Sequence, residues 1–181
     1  MADKNSIINA AQKYASKGNI DAAITEYEKL VTSGNDGNIQ NTIGDLYLRK
    51  GSEAQAVEAF TKAADIFRKS GFYPKAIAIY KKVLNIQPNS VESLIALAKL
   101  NASKGLNASA AEYYFKAADI FQRNGYAEKA TQAVERILKL TTNDIGIRIK
   151  IADWYIKSGI KPRAANEYAA IAISYLEKDD T

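Results

Sequence analysis

The sequence predicts an all-α chain of about ten antiparallel helices stacked as a solenoid, and three observations carry this prediction. Six glycines recur at intervals of 33, 20, 34, 20 and 34 residues. Apolar residues between these glycines follow the 3.6-residue period of a helix. One stretch also occurs twice, as KAADIFRKSGFYPKA at 62–76 and KAADIFQRNGYAEKA at 116–130, so a structural unit repeats along the chain.

The six glycines predict where helices end. Each follows a polar or basic pair of residues, and the six are Gly18, Gly51, Gly71, Gly105, Gly125 and Gly159. A glycine just past a helix adopts the left-handed conformation without a Cβ penalty. A basic residue in the last turn also suits the negative end of the helix dipole. Each glycine is therefore expected to close a helix.

Small and aromatic residues share one face of the predicted helices. Ala56, Phe60 and Ala63 follow steps of 4 and 3 residues, and Ala110 and Tyr114 repeat the first step. A small residue lets a neighbouring helix approach, while the aromatic side chain one turn away fills the space beside it. In chain order, the predicted helices are 4–17, 20–33, 38–50, 53–70, 73–86, 90–104, 107–124, 127–140, 144–158 and 161–178.

Composition narrows the function classes. The chain has 181 residues, of which 47% are apolar and 25% charged, so it can bury a core and keep a charged surface. It has no cysteine and no histidine, which removes thiol chemistry and the commonest general base and metal ligand. We therefore expect no enzyme activity, no cofactor and no metal site. The start of the chain shows no secretory signal and no apolar run is long enough for a membrane span, so we expect a cytoplasmic protein.

The pattern resembles the tetratricopeptide repeat (TPR) family. The 34-residue unit of that family has apolar residues at positions 4 and 7, a small residue at 8, aromatic residues at 11 and 24, a glycine near 15 and an alanine at 20. In residues 57–90 these positions hold Phe60, Ala63, Ala64, Phe67, Tyr80, Gly71 and Ala76. The resemblance implies one domain over 1–181, wound as a right-handed superhelix. Its repeats would lie near 4–37, 37–70, 57–90, 91–124, 111–144 and 145–178.

The chain departs from the family pattern in three places. Each 20-residue glycine interval holds one helix instead of two, so 53–70 and 107–124 are each expected to close one repeat and open the next. The repeating unit is then 54 residues and three helices. Asn101 and Val134 stand where the family has aromatic residues, at positions 11 and 24.

Charged residues recur on one helix face at the spacing i, i+3, i+7. We call them the groove ladder, and they are Asp45, Arg49, Lys62, Asp65, Lys69, Lys116, Asp119, Arg123, Lys150, Asp153 and Lys157. In the family that the chain resembles, the acidic and the last basic residue of each rung line the concave groove. The functional hypothesis is that the ladder binds a partner protein or peptide. The alternative is that the pairs at i, i+4 only support a solvated helix, by about 0.2–0.5 kcal/mol each.

The chain does not carry the peptide site best known in that family. The resemblance places a carboxylate clamp of Lys, Asn and Arg side chains at fixed groove positions, but the corresponding residues here include Ile8, Gln12 and Thr42. We therefore expect no binding of the carboxylate-terminal tails of chaperones. Trp154 occupies a repeat position that is apolar in the other helices, so we expect it to pack in the core.

The last predicted helix supports a second hypothesis. It is apolar on more than one stripe, and we call Ala169, Ile173 and Leu176 the C-terminal apolar face. A terminal repeat normally ends in a polar cap, so this face predicts self-association or contact with a partner. A third hypothesis, nucleic-acid binding, is weaker because the net charge of +5 is spread evenly and aspartates interleave the basic residues.

Overall fold

The computed structural model describes residues 3–31, 36–141 and 144–179. Within these ranges the chain forms ten α-helices and no strand, which confirms the predicted all-α fold. They are α1 (Lys4–Ser16), α2 (Ile20–Val31), α3 (Gly37–Arg49), α4 (Glu53–Lys69), α5 (Tyr73–Ile86), α6 (Val91–Ser103), α7 (Asn107–Arg123), α8 (Ala127–Leu140), α9 (Ile145–Lys157) and α10 (Lys161–Asp179). The ends agree with prediction to within one residue, except that 32–33, the predicted end of the second helix, lie outside the described residues.

The chain divides into two compact units, Met1–Ser93 and Leu94–Thr181. In unit 1, α2 packs against α1 and α3, and α4 packs against α3 and α5. In unit 2, α7 packs against α8, and α9 packs against α8 and α10. Turns of three residues join α3 to α4, α4 to α5, α7 to α8 and α9 to α10, and such short connections make neighbouring helices antiparallel.

The six glycines end helices in the way the sequence predicts. All six have positive φ, between +73° and +81°. The N–H that follows each glycine reaches back to the carbonyl five residues earlier, as from Phe72 to Phe67 at 2.8 Å, which is the Schellman arrangement. The Phe72 ring then packs edge-on against Phe67, and Tyr126 packs in the same way against Phe121. An apolar contact thus closes the turn after α4 and the turn after α7.

Helices α3 and α4 of unit 1 approach so closely that the contact position on α3 is a glycine, which has no side chain. A Cβ atom on Gly44 would lie 2.6 Å from the ring of Phe60, which is fully buried in α4. Ala56, Ala63 and Ala64 of α4 are also fully buried. Small residues and one large ring therefore fill this interface, as the sequence pattern predicts.

Unit 2 accommodates the two single-residue departures from the family pattern, Asn101 and Val134. Val134 is fully buried in α8, and Trp154 is only 7% exposed, which confirms that the tryptophan packs in the core. Asn101 is buried in α6, where its Nδ2 donates a hydrogen bond to the carbonyl of Leu97 at 2.8 Å. The polar side chain is thus satisfied by its own helix.

Gly44→Ala should lower the free energy of unfolding by about 2 kcal/mol, because the added methyl group must displace the buried Phe60 ring. Urea denaturation followed by circular dichroism measures the change. Gly146→Ala is the matched control, since Gly146 lies exposed in the first turn of α9, where a Cβ would meet only Asp144 Oδ1, at 3.3 Å. Equal stability of Gly44→Ala and wild type would show that the α3–α4 approach does not depend on glycine.

Candidate protein-binding groove

Two aspartates of the groove ladder tie one helix to the next. Asp65 Oδ1 in α4 accepts a hydrogen bond from the hydroxyl of Tyr80 in α5 at 2.7 Å. Asp153 Oδ1 in α9 accepts one from the hydroxyl of Tyr168 in α10, also at 2.7 Å. In both cases the tyrosine follows the aspartate by 15 residues, so the bond spans one helix–turn–helix unit.

The Asp65–Tyr80 bond changes the ionisation of both groups. Burial raises the pKa of the Tyr80 hydroxyl, and the Asp65 carboxylate raises it further, to about 12. Partial burial alone would raise the pKa of the Asp65 carboxyl, but the hydrogen bonds from Tyr80 and Arg68 outweigh burial and lower it. At neutral pH the bond therefore joins a protonated hydroxyl to a carboxylate.

The other two ladder aspartates find different partners, because no tyrosine lies 15 residues later. Asp119 is followed at that distance by Val134, and its Oδ1 accepts a hydrogen bond from Trp154 Nε1 at 2.9 Å. Asp45 is followed by Phe60, and its Oδ1 pairs with Lys82 Nζ at 2.8 Å. Each of the four carboxylates thus links its own helix to another helix. In the described part of the chain, none of the four forms an ion pair with the basic residue four positions later.

The basic residues of the groove ladder form fewer bonds between helices than its aspartates do. Arg49 Nη2 donates to the Ala15 carbonyl at 3.2 Å, and Arg123 Nε donates to the Asp119 carbonyl at 3.4 Å. The remaining cations either make one local contact or make no hydrogen bond or ion pair with any described residue. Lys62 pairs with Glu58 and Lys116 lies over Tyr113, whereas Lys69, Lys150 and Lys157 have no such partner.

An open groove in unit 1 brings three ladder residues together. A cavity of about 410 Å³ lies between α2, α3 and α4. Its lining consists of Val31, Gln40, Lys62, Asp65, Ile66, Lys69 and Ser70. Asp45 and Arg49, the ladder residues of α3, do not line it, because they turn towards α5 and α1.

A second cavity, of about 380 Å³, shares Val31, Gln40 and Lys62 with the first. Its other lining residues are Glu28, Ile43, Tyr47, Gln55, Glu58 and Ala59. We call the two cavities together the α2–α4 groove. Residues of α3 lie between those of α2 and α4, since α3 packs against both helices.

The α2–α4 groove combines charged and apolar side chains. In the first cavity Lys62 and Lys69 lie beside Asp65, whose carboxylate already accepts bonds from Tyr80 and Arg68. Glu28 and Glu58 line the second cavity, where Glu58 pairs with Lys62 at 2.6 Å. Ile43, Tyr47 and Val31 add apolar surface there. A groove of this composition suits a segment of protein chain.

Gln40 is one of the groove residues that the sequence pattern did not identify. It stands at repeat position 4, where four of the other predicted repeats have the apolar residues Ile7, Phe60, Leu94 and Tyr114. The remaining repeat has Arg148, which pairs with Glu167 at 3.2 Å. A polar residue at an apolar repeat position was the available signal for Gln40.

The C-terminal apolar face is exposed on α10. Ile173 is 55% exposed and Leu176 is 67% exposed, and Ala169 is exposed beside them. Among the α10 side chains that the structure describes, those of Ala164 and Ile171 are buried. Ala172 is also exposed, although Ala64 and Ala118 at the equivalent positions of α4 and α7 are fully buried.

Family models match most of the chain. A model described as tetratricopeptide repeat matches residues 8–70 and 61–127, and a second tetratricopeptide repeat model matches residues 111–144. The chain belongs to the tetratricopeptide repeat family. The resemblance inferred from the glycine, alanine and aromatic positions is therefore confirmed, and TPR proteins serve as protein–protein interaction scaffolds.

Several solved structures are similar to this TPR chain. A MamA crystal structure is 16% identical, with a TM-score of 0.32, and the match covers 100% of this chain and 99% of that one. A tetratricopeptide repeat protein from Parabacteroides merdae is 15% identical, with a TM-score of 0.32 and coverage of 94% and 79%. YrrB, a TPR protein with an unusual peptide-binding site, is 16% identical, with a TM-score of 0.32 and coverage of 80% and 90%. No curated protein sequence matches. The family assignment rests on the repeat models alone.

No helix among the described residues combines the length and the apolar character needed to cross a membrane. Over the same residues, no three acidic, histidine or cysteine side chains are grouped closely enough to hold a metal ion.

Tyr80→Phe should lower the free energy of unfolding by about 1–2 kcal/mol at neutral pH, because it removes a hydrogen bond to a carboxylate. Chemical denaturation measures the loss. Tyr73→Phe is the matched control, since Tyr73 is 42% exposed and its hydroxyl bonds to no described residue.

The loss should also depend on pH. Because the fold lowers the pKa of Asp65, this carboxylate stabilises the fold fully above the ordinary carboxyl pKa of about 4. That contribution disappears as the pH falls through the lowered value. The difference between wild type and Tyr80→Phe should therefore be constant at neutral pH and shrink below about pH 4. A difference that stays constant throughout acid titration would contradict the assigned bond.

Proposed function

We propose that this TPR chain is a non-catalytic scaffold that binds a segment of a partner protein in the α2–α4 groove. Membership of the family supports a scaffold role. The groove supports the location, because it is open and combines apolar with charged side chains. Under this proposal Lys62 and Lys69 attract the partner, while Asp65 holds α4 against α5.

The convergence of Lys62, Asp65 and Lys69 beside an apolar floor is the observation that carries the proposal. Charged groups at an interface steer the partner and fix its orientation more than they add affinity. Apolar residues that become buried supply the affinity. The groove-ladder residues of unit 2 are also predicted to bind a partner. Lys150 and Lys157 are exposed there.

Charge reversal at the groove tests the proposal. The double variant Lys62→Glu/Lys69→Glu should lose partner proteins that wild type retains, because it replaces both lysines of the groove with carboxylates. The measurement is a pull-down from the soluble lysate of the source cell, quantified by mass spectrometry.

Lys13→Glu/Lys17→Glu is the matched control. It makes the same charge change in unit 1, at exposed positions near the end of α1 that line neither cavity. Far-UV circular dichroism verifies that both variants are folded. Retention of the same proteins by wild type and both variants would contradict a binding role for the groove.

The C-terminal apolar face supports a second candidate, self-association. Ile173 and Leu176 expose more than half of their surface on α10, and exposed apolar patches commonly mark interfaces. Under this proposal a second copy of the chain covers α10.

Ile173→Glu/Leu176→Glu should reduce the average mass of the protein at high concentration to that of the monomer. Sedimentation equilibrium measures the mass. Ile149→Glu/Ile156→Glu, at two exposed positions of α9, is the control and should leave association intact. A wild-type protein that stays monomeric at every concentration reached would contradict self-association.

A further inference from the structure

Helix α10 exposes side chains whose counterparts in α7 are buried. It begins 54 residues after α7 does. Tyr114 and Ala118 of α7 are 3% and 0% exposed, and they share one core cluster with residues of α8, which packs against α7. Fifty-four residues later, Tyr168 is 42% exposed and Ala172 is exposed as well. Helix α10 therefore presents a stripe of the kind that α7 buries against a second helix.

The face with which α8 enters the core reappears on the surface of α10. The core residues of α8 stand at i, i+3, i+4 and i+7, and they are Ala130, Ala133, Val134 and Ile137. At the same spacing α10 carries exposed residues of the same types, and they are Ala169, Ala172, Ile173 and Leu176. Each set reads two alanines, a β-branched residue and an aliphatic residue. Helix α10 thus also carries a face of the kind that covers a neighbour.

These two stripes of α10 adjoin along the helix. Ala172 belongs to both, because it lies one turn after Tyr168 and one turn after Ala169. One α10 helix can therefore cover a neighbour and be covered by it at the same time. A helix with both properties is complementary to a second copy of itself, so the occupant that these residues favour is the α10 helix of another copy.

The centre of the combined surface has the spacing of a contact between two helices. Steps of 4, 3 and 4 residues separate four exposed residues, which are Ala165, Ala169, Ala172 and Leu176. Alternating steps of 3 and 4 keep a seam on one side of a helix, as in coiled coils. Tyr168 and Tyr175 flank this seam on one side and Ile173 flanks it on the other. All three are at least 42% exposed, so a partner helix can bury more apolar surface than the alanines offer.

An antiparallel pair about a two-fold axis gives the seam a consistent register. When Ala169 of one copy lies opposite Ala172 of the second copy, Ala165 comes to lie opposite Leu176. Small residues then meet at the centre, and a small residue meets a large one at each end. The antiparallel direction also sets the positive end of each helix dipole beside the negative end of the other. Because a two-fold contact closes on itself, the product is a dimer.

We infer that two copies of this TPR chain pair through α10 in an antiparallel contact centred between Ala169 and Ala172. This inference rests on the proposed self-association, to which it adds the partner helix, its direction and its register. In the dimer, each α10 helix receives from the second copy the kind of cover that α8 gives to α7.

Single-cysteine variants test this pairing, because the chain has no cysteine of its own. Ala165→Cys and Leu176→Cys change two exposed positions that the register brings together. The two variants are mixed in equal amounts, allowed to exchange subunits and oxidised mildly with copper phenanthroline. On a non-reducing gel, about half of the dimers should be covalent, since random exchange joins the two variants in half of all two-fold pairs.

Each variant alone should stay uncross-linked. The antiparallel register separates like positions by about 16 Å along the helix axis, whereas a disulfide needs Cα atoms within about 7 Å. Ile149→Cys mixed with Ile156→Cys, two exposed positions of α9, is the matched control and should give no covalent dimer. If Leu176→Cys weakens the dimer in sedimentation equilibrium, Ala169→Cys mixed with Ala172→Cys is the second pair that should cross-link.

Three results would overturn the inference. Cross-linking of Ala165→Cys alone would show that the helices pair in parallel. A dimeric wild type whose mixed variants fail to cross-link in both pairs would show that the copies associate elsewhere, so the self-association would stand without this register. A wild type that is monomeric at every concentration reached would overturn the self-association and the inference together, and would leave a helix of another protein as the occupant of this face.

Discussion

The close approach of α3 and α4 at Gly44 and Phe60 is the constraint on which unit 1 depends. Because Gly44 has no side chain, the buried ring of Phe60 lies against the backbone of α3. The same α4 helix also packs against α5, and its Ala56, Ala63, Ala64 and Phe67 are buried as well. With α3 held between α2 and α4, the side chains of α2 and α4 border a groove instead of meeting over it. Packing that stabilises the repeat therefore also shapes the surface available to a partner.

The acidic and the basic residues of the groove ladder have different roles in the structure. The carboxylates are used inside the protein, where they accept hydrogen bonds or a salt bridge from the next helices through Tyr80, Tyr168, Trp154 and Lys82. The lysines are less engaged, because Lys69 acts on Asp65 only through its charge, and Lys150 and Lys157 form no hydrogen bond or ion pair with any described residue. Among the described ladder residues, the lysines are therefore the groups with the least use inside the protein.

Most of the fold was predictable, because its determinants are local. A left-handed glycine ends a helix, and alanine–aromatic spacing defines the buried face, so helix ends were placed to within one residue over the described ranges. The partners of the charged residues were not predictable, because they depend on how one helix meets the next. Sequence spacing paired Asp65 with Lys69, four residues later, whereas the structure pairs it with Arg68 and Tyr80. Gln40 escaped notice for the same reason, since only the packing of the helices places it in the lining of the α2–α4 groove.

Backbone amide signals in a proton–nitrogen NMR spectrum test the central claim most directly. They should be assigned in the free protein and followed while a protein segment that wild type retains in the pull-down is added. The account predicts saturable shifts for residues that line the α2–α4 groove, Lys62 and Lys69 among them. Saturable shifts confined to α10, with the groove signals unmoved, would contradict it and place binding on the C-terminal apolar face.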